Sequence, residues 1–121
     1  MLFEDTYVFQ EKDPRGETVS LEWERVESHI HVEHPEVDLE EIRECISDPE
    51  YIIVDTTHTN RENYYAHKCF QYPSLYVKTV VSISRKNDTG RKVVTSYYTK
   101  EVSPLPSNSE DILYDKKKNN S

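Results

Sequence analysis

Near residue 50 the spacing of apolar residues changes from the period of a helix to the alternation of strands. Before that point, Trp23, Val26 and Ile30 fall on one apolar stripe of a helix. After it, β-branched and aromatic residues occur between 51 and 99 in short runs that polar turns separate. A chain with helices first and a strand meander afterwards is expected to fold as an α+β domain.

A short strand pair is predicted ahead of the helices, at residues 6–10 and 17–19, with a Pro- and Gly-containing turn between them. Ser20 is expected to cap the first helix, because its hydroxyl can accept a hydrogen bond from a free backbone N–H. That helix is expected to end near Glu33, since Pro35 disfavours the α conformation of the residue before it.

A second helix and four strands complete the predicted domain. Asp38 is expected to cap this helix, with Ile42 and Ile46 facing inward and Pro49 following its end. The predicted strands are residues 51–54, 63–70, 75–84 and 91–99, and the last two are joined by a hairpin loop at 86–90. We therefore predict two N-terminal helices packed on a four-stranded antiparallel sheet, in a single domain of residues 1–102. Residues 103–121 are rich in Ser, Pro, Asn and Lys and are expected to form a disordered tail.

The charge is divided unevenly along the chain, whose formal net charge is -8. Residues 1–50 contain 16 acidic and 4 basic residues, whereas residues 51–121 contain 7 acidic and 11 basic residues. A protein with a basic half can bind nucleic acid, whereas a uniformly acidic protein would repel it. The alternative is that these lysines and arginines only form a charged, solvent-exposed face of the sheet.

The sequence carries no sign of a membrane or secreted protein. No run of even ten apolar residues occurs, which excludes a membrane-spanning helix. The first residues include Glu4 and Asp5, where a secretory signal would be basic. Cys45 and Cys69 lack the spacing of a disulfide framework or a zinc knuckle. These features predict a cytoplasmic protein with reduced thiols.

Three histidines, His29, His31 and His34, lie close together at the end of the first predicted helix and in the turn after it. A metal site is disfavoured, because His29 and His31 point to opposite sides of a helix and because no two of the three histidines stand at positions i and i+4. One helix-end histidine suits general acid–base catalysis, since imidazole titrates near neutral pH. The alternative is that the histidines only stabilise the helix end, whose partial negative charge favours them.

Polar side chains on two predicted strands form a second group of candidates. On the last strand, Thr95 and Tyr97 share one side and Ser96 lies on the other. On an earlier strand, Arg61 precedes the pair Tyr64-Tyr65; Arg can hold a phosphate by two hydrogen bonds, and Tyr can stack on a base. The alternative is structural, because Tyr and Thr favour strands wherever they occur.

Several motifs of the chain occur in a fixed order. They are Trp23, His29-Ile30, His34-Pro35-Glu36, Asp48-Pro49, Asn60-Arg61, Tyr64-Tyr65 and the run from Val94 to Thr99. In this order they resemble the phage-type branch of the barnase–EndoU–colicin–RelE nuclease superfamily. The resemblance covers residues 6–102 and implies an α+β fold with helices on a four-stranded antiparallel sheet.

The resemblance implies metal-independent RNA cleavage without a cofactor, in which the ribose 2′-hydroxyl attacks the adjacent phosphate. It implies catalytic roles for His29, Arg61, Thr95 and Tyr97. It implies substrate-binding roles for His31, His34, Tyr64, Tyr65, Lys78, Lys92 and Ser96. His29 is the expected acid or base, with His31 as its substitute, while His34 holds the helix–turn. Lys78 adds positive charge and Tyr65 stacks a base. The implied partners are RNA and an inhibitor protein of the antitoxin or immunity type.

A non-catalytic binding module is the alternative, holding RNA on its sheet or a basic partner on its acidic helices. The two interpretations differ in whether the candidate residues converge. A cleft shared by His29, Arg61 and either Thr95 or Tyr97 favours an enzyme, and scattered positions favour a binding module.

Overall fold

One mixed sheet dominates the computed structural model, which describes residues 6–67, 73–83, 90–102 and 109–119. Its described strands are β1 (Tyr7–Lys12), β2 (Thr18–Glu22), β3 (Tyr51–Val54), β4 (Arg61–Ala66), β5 (Tyr76–Ile83), β6 (Arg91–Thr99) and β7 (Ile112–Asp115). They are hydrogen-bonded in the order β1-β2-β6-β5-β4-β3-β7. Neighbouring strands are antiparallel except for β2 and β6, which are parallel.

The helices are short. They are α1 (Trp23–Arg25), α2 (His31–Glu33), α3 (Leu39–Ser47) and α4 (Lys116–Asn119). A π-helical stretch, Val26–Ile30, joins α1 to α2, and a 3₁₀ turn, Ser109–Asp111, precedes β7. None of the helices in the described ranges is long and apolar enough to cross a membrane.

The prediction of two helices on a four-stranded sheet is wrong, because the sheet has seven strands within the described residues. The N-terminal pair joins it through Val19–Ser20, which pair in parallel with Arg91–Lys92. At the opposite edge, β7 pairs with β3 and lies inside the segment that the sequence predicts to be a disordered tail. Both additions depend on pairing between distant residues, which local apolar patterns do not reveal.

The helical region after β2 differs from its prediction. Ser20 is buried within β2 and does not cap a helix, so that prediction is wrong. Val26 and Ile30 are buried as the apolar stripe predicts, whereas Trp23 is 40% exposed. The backbone N–H of His31 donates to the carbonyl of Val26, five residues earlier, which widens the turn relative to an α-helix.

The second predicted helix is confirmed as α3. The side chain of Asp38 accepts a hydrogen bond from the backbone N–H of Glu40 at 2.8 Å, and Ile42 and Ile46 are fully buried. This helix packs on β4 and β5, and the face that it covers is called the inner face below. The core is formed by Val19, Leu21, Val26, Ile30, Val37, Ile42, Cys45, Ile46, Ile52, Tyr64, Val77, Val81 and Val93.

A β-bulge in β6 decides which of its side chains reach the opposite face of the sheet, called the outer face. Thr95 pairs with Val80 and Val93 pairs with Val81, which leaves Val94 as an extra residue. Because side chains alternate along a strand, the extra residue reverses the alternation. Val93 therefore lies in the core, while Thr95 faces outward.

The predicted strands 51–54 and 91–99 coincide with β3 and β6. Gly90 has a φ of 83°, in the left-handed region that the predicted hairpin loop requires. Other predicted features lie outside the described residues. These are residues 86–89 of the hairpin loop, 68–70 and 84 of two predicted strands, Cys69 among them, 71–72 of a turn, and 103–108 and 120–121 of the tail.

Candidate active site

A cleft of about 350 Å³ opens on the outer face, where β3 to β6 meet the loop that follows β3. Its lining comprises Ile53, Val54, Asp55, Thr56, Thr57, His58, Arg61, Asn63, Tyr65, Lys78, Val80, Thr95 and Tyr97. Five residues that the sequence analysis selects therefore share one cleft: Arg61, Tyr65, Lys78, Thr95 and Tyr97.

Strand register arranges the floor of the cleft in two rows across β4, β5 and β6. The rows are Asn63–Val80–Thr95 and Tyr65–Lys78–Tyr97. Residues paired across neighbouring strands point to the same face, so each row presents its side chains together. Residues distant in the sequence are thereby brought to adjacent positions on a rigid sheet.

Lys78 is the cation at the centre of the cleft. Its Nζ lies 5.6 Å from the ring centre of Tyr65 and 5.5 Å from that of Tyr97. Burial lowers the pKa of Lys78, but its interactions with the Tyr97 and Tyr65 phenols outweigh burial and the pKa is raised overall. Lys78 is therefore protonated at neutral pH and supplies positive charge to any ligand in the cleft.

Tyr65 belongs to the floor of the cleft. The residue is 3% exposed, so little of its ring is open to the nucleobase that the sequence resemblance assigns to it. Burial raises the pKa of Tyr65, although the positive charge of Lys78 opposes the shift. The phenol therefore stays protonated and can donate a hydrogen bond.

Asp55 brings a carboxylate to the cleft that sequence reasoning did not identify. Its Oδ1 accepts hydrogen bonds from the backbone N–H groups of Thr57 at 2.8 Å and His58 at 3.0 Å. Burial raises the pKa of Asp55, but these hydrogen bonds and the charge of Lys78 lower it overall. The available sequence signal was an Asp two residues before a Thr in a polar loop, which is typical of an Asx turn.

Two polar atoms on the floor have no hydrogen-bond partner in the part of the chain that the structure describes. They are Oδ1 of Asn63 and Oγ1 of Thr95, and both are buried. Buried polar atoms in native proteins are nearly always paired, so these two are unsatisfied hydrogen-bonding groups beside the cleft. Sequence reasoning missed Asn63, although it alternates with Arg61 and Tyr65 and must share their face.

Among the three candidate histidines, His34 contacts a residue of the cleft, Tyr97, although His34 itself does not line the cleft. Its ring centre lies 5.2 Å from that of Tyr97, with the planes 32° apart. His29 stands behind it, with its ring centre 6.4 Å from that of His34, and it does not line the cleft. His31 is exposed. Nδ1 of His34 lies 3.8 Å from a carboxylate oxygen of Glu36, which interacts with the imidazole when it is protonated.

The end of the helical region brings His34 to Tyr97. After β2 ends, α1 and the π-helical stretch contact β6. The backbone N–H of His34 donates to the carbonyl of Ile30 at 2.7 Å, and its φ of -136° and ψ of 63° end the helix. The sequence places histidines at a helix end, but the side that faces the sheet depends on this turn.

Besides His31 and His34, three predicted substrate-binding residues do not line the cleft: Tyr64, Lys92 and Ser96. Tyr64 is fully buried on the inner face, and Ser96 is buried there with its Oγ 3.0 Å from Oγ1 of Thr79. The side chains of Tyr64 and Ser96 therefore face the core and not the cleft. Lys92 forms an ion pair with Glu22, with 3.6 Å between Nζ and Oε2, and does not line the cleft.

Comparison with known proteins gives no match: no family model, no curated protein and no solved structure matches this chain. Within the described ranges, no group of three or more His, Cys, Asp or Glu side chains is placed to hold a metal ion.

Proposed function

We propose that this protein is a metal-independent endoribonuclease that uses the outer-face cleft. The observation that carries the proposal is the convergence of Arg61, Lys78, Thr95 and Tyr97 in that cleft, with His34 against Tyr97. Phosphate binding, proton transfer and hydrogen-bond donation are the functions that cleavage of an RNA phosphodiester requires. The sequence resemblance to barnase-like nucleases supports the same reaction.

The cations act on the phosphate. In the reaction, the 2′-oxygen forms a bond to phosphorus, the bond from phosphorus to the 5′-oxygen breaks, and a cyclic phosphate and a 5′-hydroxyl result. Negative charge grows on the non-bridging oxygens, where Lys78 and Arg61 stabilise it. The guanidinium of Arg61 can also hold two phosphate oxygens at once.

His29 does not line the cleft, so the arrangement that the sequence analysis set for an enzyme is not met, and the proposal takes His34 as the proton-transfer group in its place. Nδ1 of His34 is the atom nearest Glu36, which leaves Nε2 to take the proton of the 2′-hydroxyl. The neighbouring phenol of Tyr97 is the candidate donor that protonates the leaving 5′-oxygen. Glu36 positions the imidazole and does not touch the substrate.

The unpaired polar atoms hold the nucleotide. Oγ1 of Thr95 can donate to a phosphate oxygen or accept from a ribose hydroxyl, and Oδ1 of Asn63 accepts from an N–H or O–H group. Asp55, whose pKa is lowered overall because its hydrogen bonds outweigh burial, provides a second acceptor in the same cleft.

The proposal also includes a setting. Such an enzyme acts on cytoplasmic RNA, and an active ribonuclease in that compartment requires restraint, which a toxin-like or phage-associated effector obtains from an inhibitor protein. The sequence resemblance supports this setting.

The test is cleavage of a mixed-sequence RNA in the presence of EDTA by the wild type and by His34→Gln, with His31→Gln as the matched control. We expect His34→Gln to lower the rate by about 10²- to 10⁴-fold, the usual contribution of a general acid or base. His31→Gln should cleave at the wild-type rate, because His31 is exposed and outside the cleft. RNA binding without cleavage by folded wild type would instead identify a non-catalytic binding module.

A further inference from the structure

An aromatic stack lies beside the cleft on the same face of the sheet. The rings of His67 and Tyr76 are 4.7 Å apart between centres, with their planes 33° apart. His67 is exposed, directly after β4, and Tyr76 is half-buried at the start of β5. These two rings are outside the cleft, and the proposed reaction assigns them no role.

The stack is continuous with the floor of the cleft. Tyr65 places its ring edge against Tyr76, with 6.4 Å between the ring centres and 90° between the planes. Tyr65 also contacts Lys78, the central cation. Tyr76 and Lys78 are two residues apart in β5, so they share a face at a separation of about 7 Å along the strand. One extended nucleotide covers a comparable length.

We propose that the His67–Tyr76 stack is a second subsite, which binds the base of an unpaired nucleotide next to the phosphate held by Lys78. This inference rests on the proposed function, because it takes RNA as the ligand of the cleft. An exposed ring supported by a second ring is rigid, and bases of every type have a flat face that can stack on it.

The chemistry of the subsite specifies single-stranded RNA. In a duplex both faces of each base are covered by its neighbours, whereas in a single strand a base can turn out and stack on an aromatic side chain. Lys78, two residues from Tyr76 in β5, then lies next to the phosphate backbone of the same RNA strand. Stacking beside a basic groove is a common mode of single-strand recognition.

The experiment measures the affinity of a ten-nucleotide single-stranded 2′-O-methyl RNA, which cannot be cleaved, and in parallel the cleavage of the unmodified RNA. His67→Ala should weaken binding by about 5- to 150-fold, the range that loss of one stacked base gives. His67→Phe should restore it, since any aromatic ring provides a stacking face. Tyr76→Leu should weaken binding and Tyr76→Phe should not. Trp23→Ala is the control, because it removes an exposed aromatic ring that does not line the cleft.

The outcomes separate this inference from the proposed function. Cleavage by the wild type with unchanged binding in His67→Ala and Tyr76→Leu overturns the subsite and leaves the nuclease. No cleavage, with binding that depends on these two rings, supports the subsite and overturns the nuclease. Equal affinity for the same sequence as a duplex also overturns the subsite. Absence of binding by folded wild type overturns both.

Discussion

The inner and outer faces of the sheet differ in how completely their described polar side chains are paired. On the inner side, Arg15 donates to Asp13 at 2.7 Å, to Glu62 at 2.9 Å and to the Tyr64 hydroxyl at 2.9 Å. The Tyr64 hydroxyl in turn donates to Asp13 at 2.6 Å. These four residues, with Arg91 bound to Glu62 at 3.0 Å, are called the ionic cluster. Every charged group in it faces a partner.

The cleft on the outer face shows the contrary arrangement. Oδ1 of Asn63 and Oγ1 of Thr95 are buried without a partner among the described residues. Lys78 lies between two phenol rings, and no carboxylate of the described chain lies within ion-pair distance of it. Burying unpaired polar groups costs stability, and such groups persist where a ligand can complete them.

Strand β4 supplies residues to both regions in alternation. Glu62 and Tyr64 belong to the ionic cluster, whereas Arg61, Asn63 and Tyr65 line the cleft. Neighbours in the sequence therefore differ in role because successive side chains point to opposite faces. The comparison predicts that substitutions in the cluster change stability, and that substitutions in the cleft change ligand chemistry with little loss of stability.

The largest expected effect is on cleavage, from Lys78→Met. Removing the central cation should lower the cleavage rate by about 10²- to 10³-fold, as loss of one transition-state donor does in other enzymes. The free energy of unfolding should fall only slightly, because Met keeps a long unbranched side chain between the rings of Tyr65 and Tyr97, although the favourable contacts of the ammonium with both phenols are lost. Lys92→Met is the control, since Lys92 is outside the cleft. Equal losses of cleavage rate in Lys78→Met and Lys92→Met would indicate that the total positive charge of the protein determines the rate, and not a specific position in the cleft.

The reverse pattern is expected for Arg15→Met in the ionic cluster. The side chains of Asp13 and Glu62 are 0% and 6% exposed, so in the interior Asp13 would lose its described ion pair and Glu62 would keep only its ion pair with Arg91. We expect a loss of about 3 kcal/mol in the free energy of unfolding, measured in urea. Cleavage per folded molecule should not change. Arg43→Met is the control, because the exposed ion pair of Arg43 with Glu11 is screened by solvent and should contribute little to stability.

Acid titration of the same proteins sharpens this prediction. Burial alone would raise the pKa of Asp13, but hydrogen bonds from Tyr64 and Arg15 lower it overall. Burial alone would likewise raise the pKa of Glu62, but hydrogen bonds from Arg15 and Arg91 lower it overall. Because the folded-state pKa values are depressed, their contribution is complete above the ordinary values of 3.8 and 4.5 and declines as the pH falls below them. Wild-type stability should therefore fall on acidification from about pH 5 to about pH 3.

Arg15→Met should respond to acid more weakly than the wild type. Arg15 helps to lower the pKa of Asp13 and of Glu62, so its removal reduces the depression of both, while Tyr64 still donates to Asp13 and Arg91 still pairs with Glu62. The free energy of unfolding should then fall less steeply between about pH 5 and about pH 3. Parallel acid limbs in wild type and variant would show that the cluster does not set the pH dependence.

Much of the local structure could be predicted from the sequence, because local patterns determine it. The alternation that places Thr95 and Tyr97 on one side and Ser96 on the other is a property of any strand. The carboxylate cap of α3 is similarly local, and Asp38 caps this helix as predicted, whereas the predicted Ser20 cap is wrong because Ser20 lies in β2. The seven-stranded sheet could not be predicted in this way, because the parallel contact of β2 with β6 extends over two residue pairs far apart in the sequence.

The residues of the candidate site also differ in whether the sequence alone could predict them. Arg61 and Lys78 were selected from residue type and charge, and the cleft contains both. The preference for His29 over His34 was not supported by the geometry, because a π-helical turn and the chain reversal after it decide which imidazole meets Tyr97. Asp55 was missed because its position depends on the fold of a loop, which the alternation of strand residues does not describe.

The smallest expected effect compares two threonines on opposite faces. Thr95→Val keeps the shape of the side chain and removes a buried hydroxyl that lacks a described partner, so stability should rise by about 1 kcal/mol while RNA affinity falls several-fold. Thr79→Val removes a hydroxyl that is paired with Ser96 on the inner face, which leaves the Ser96 hydroxyl unpaired and should lower stability by about 1–2 kcal/mol. Urea unfolding and RNA titration of both variants measure these changes. A loss of stability in Thr95→Val would mean that its hydroxyl already has a partner, and the contrast between the two faces would then fail at that position.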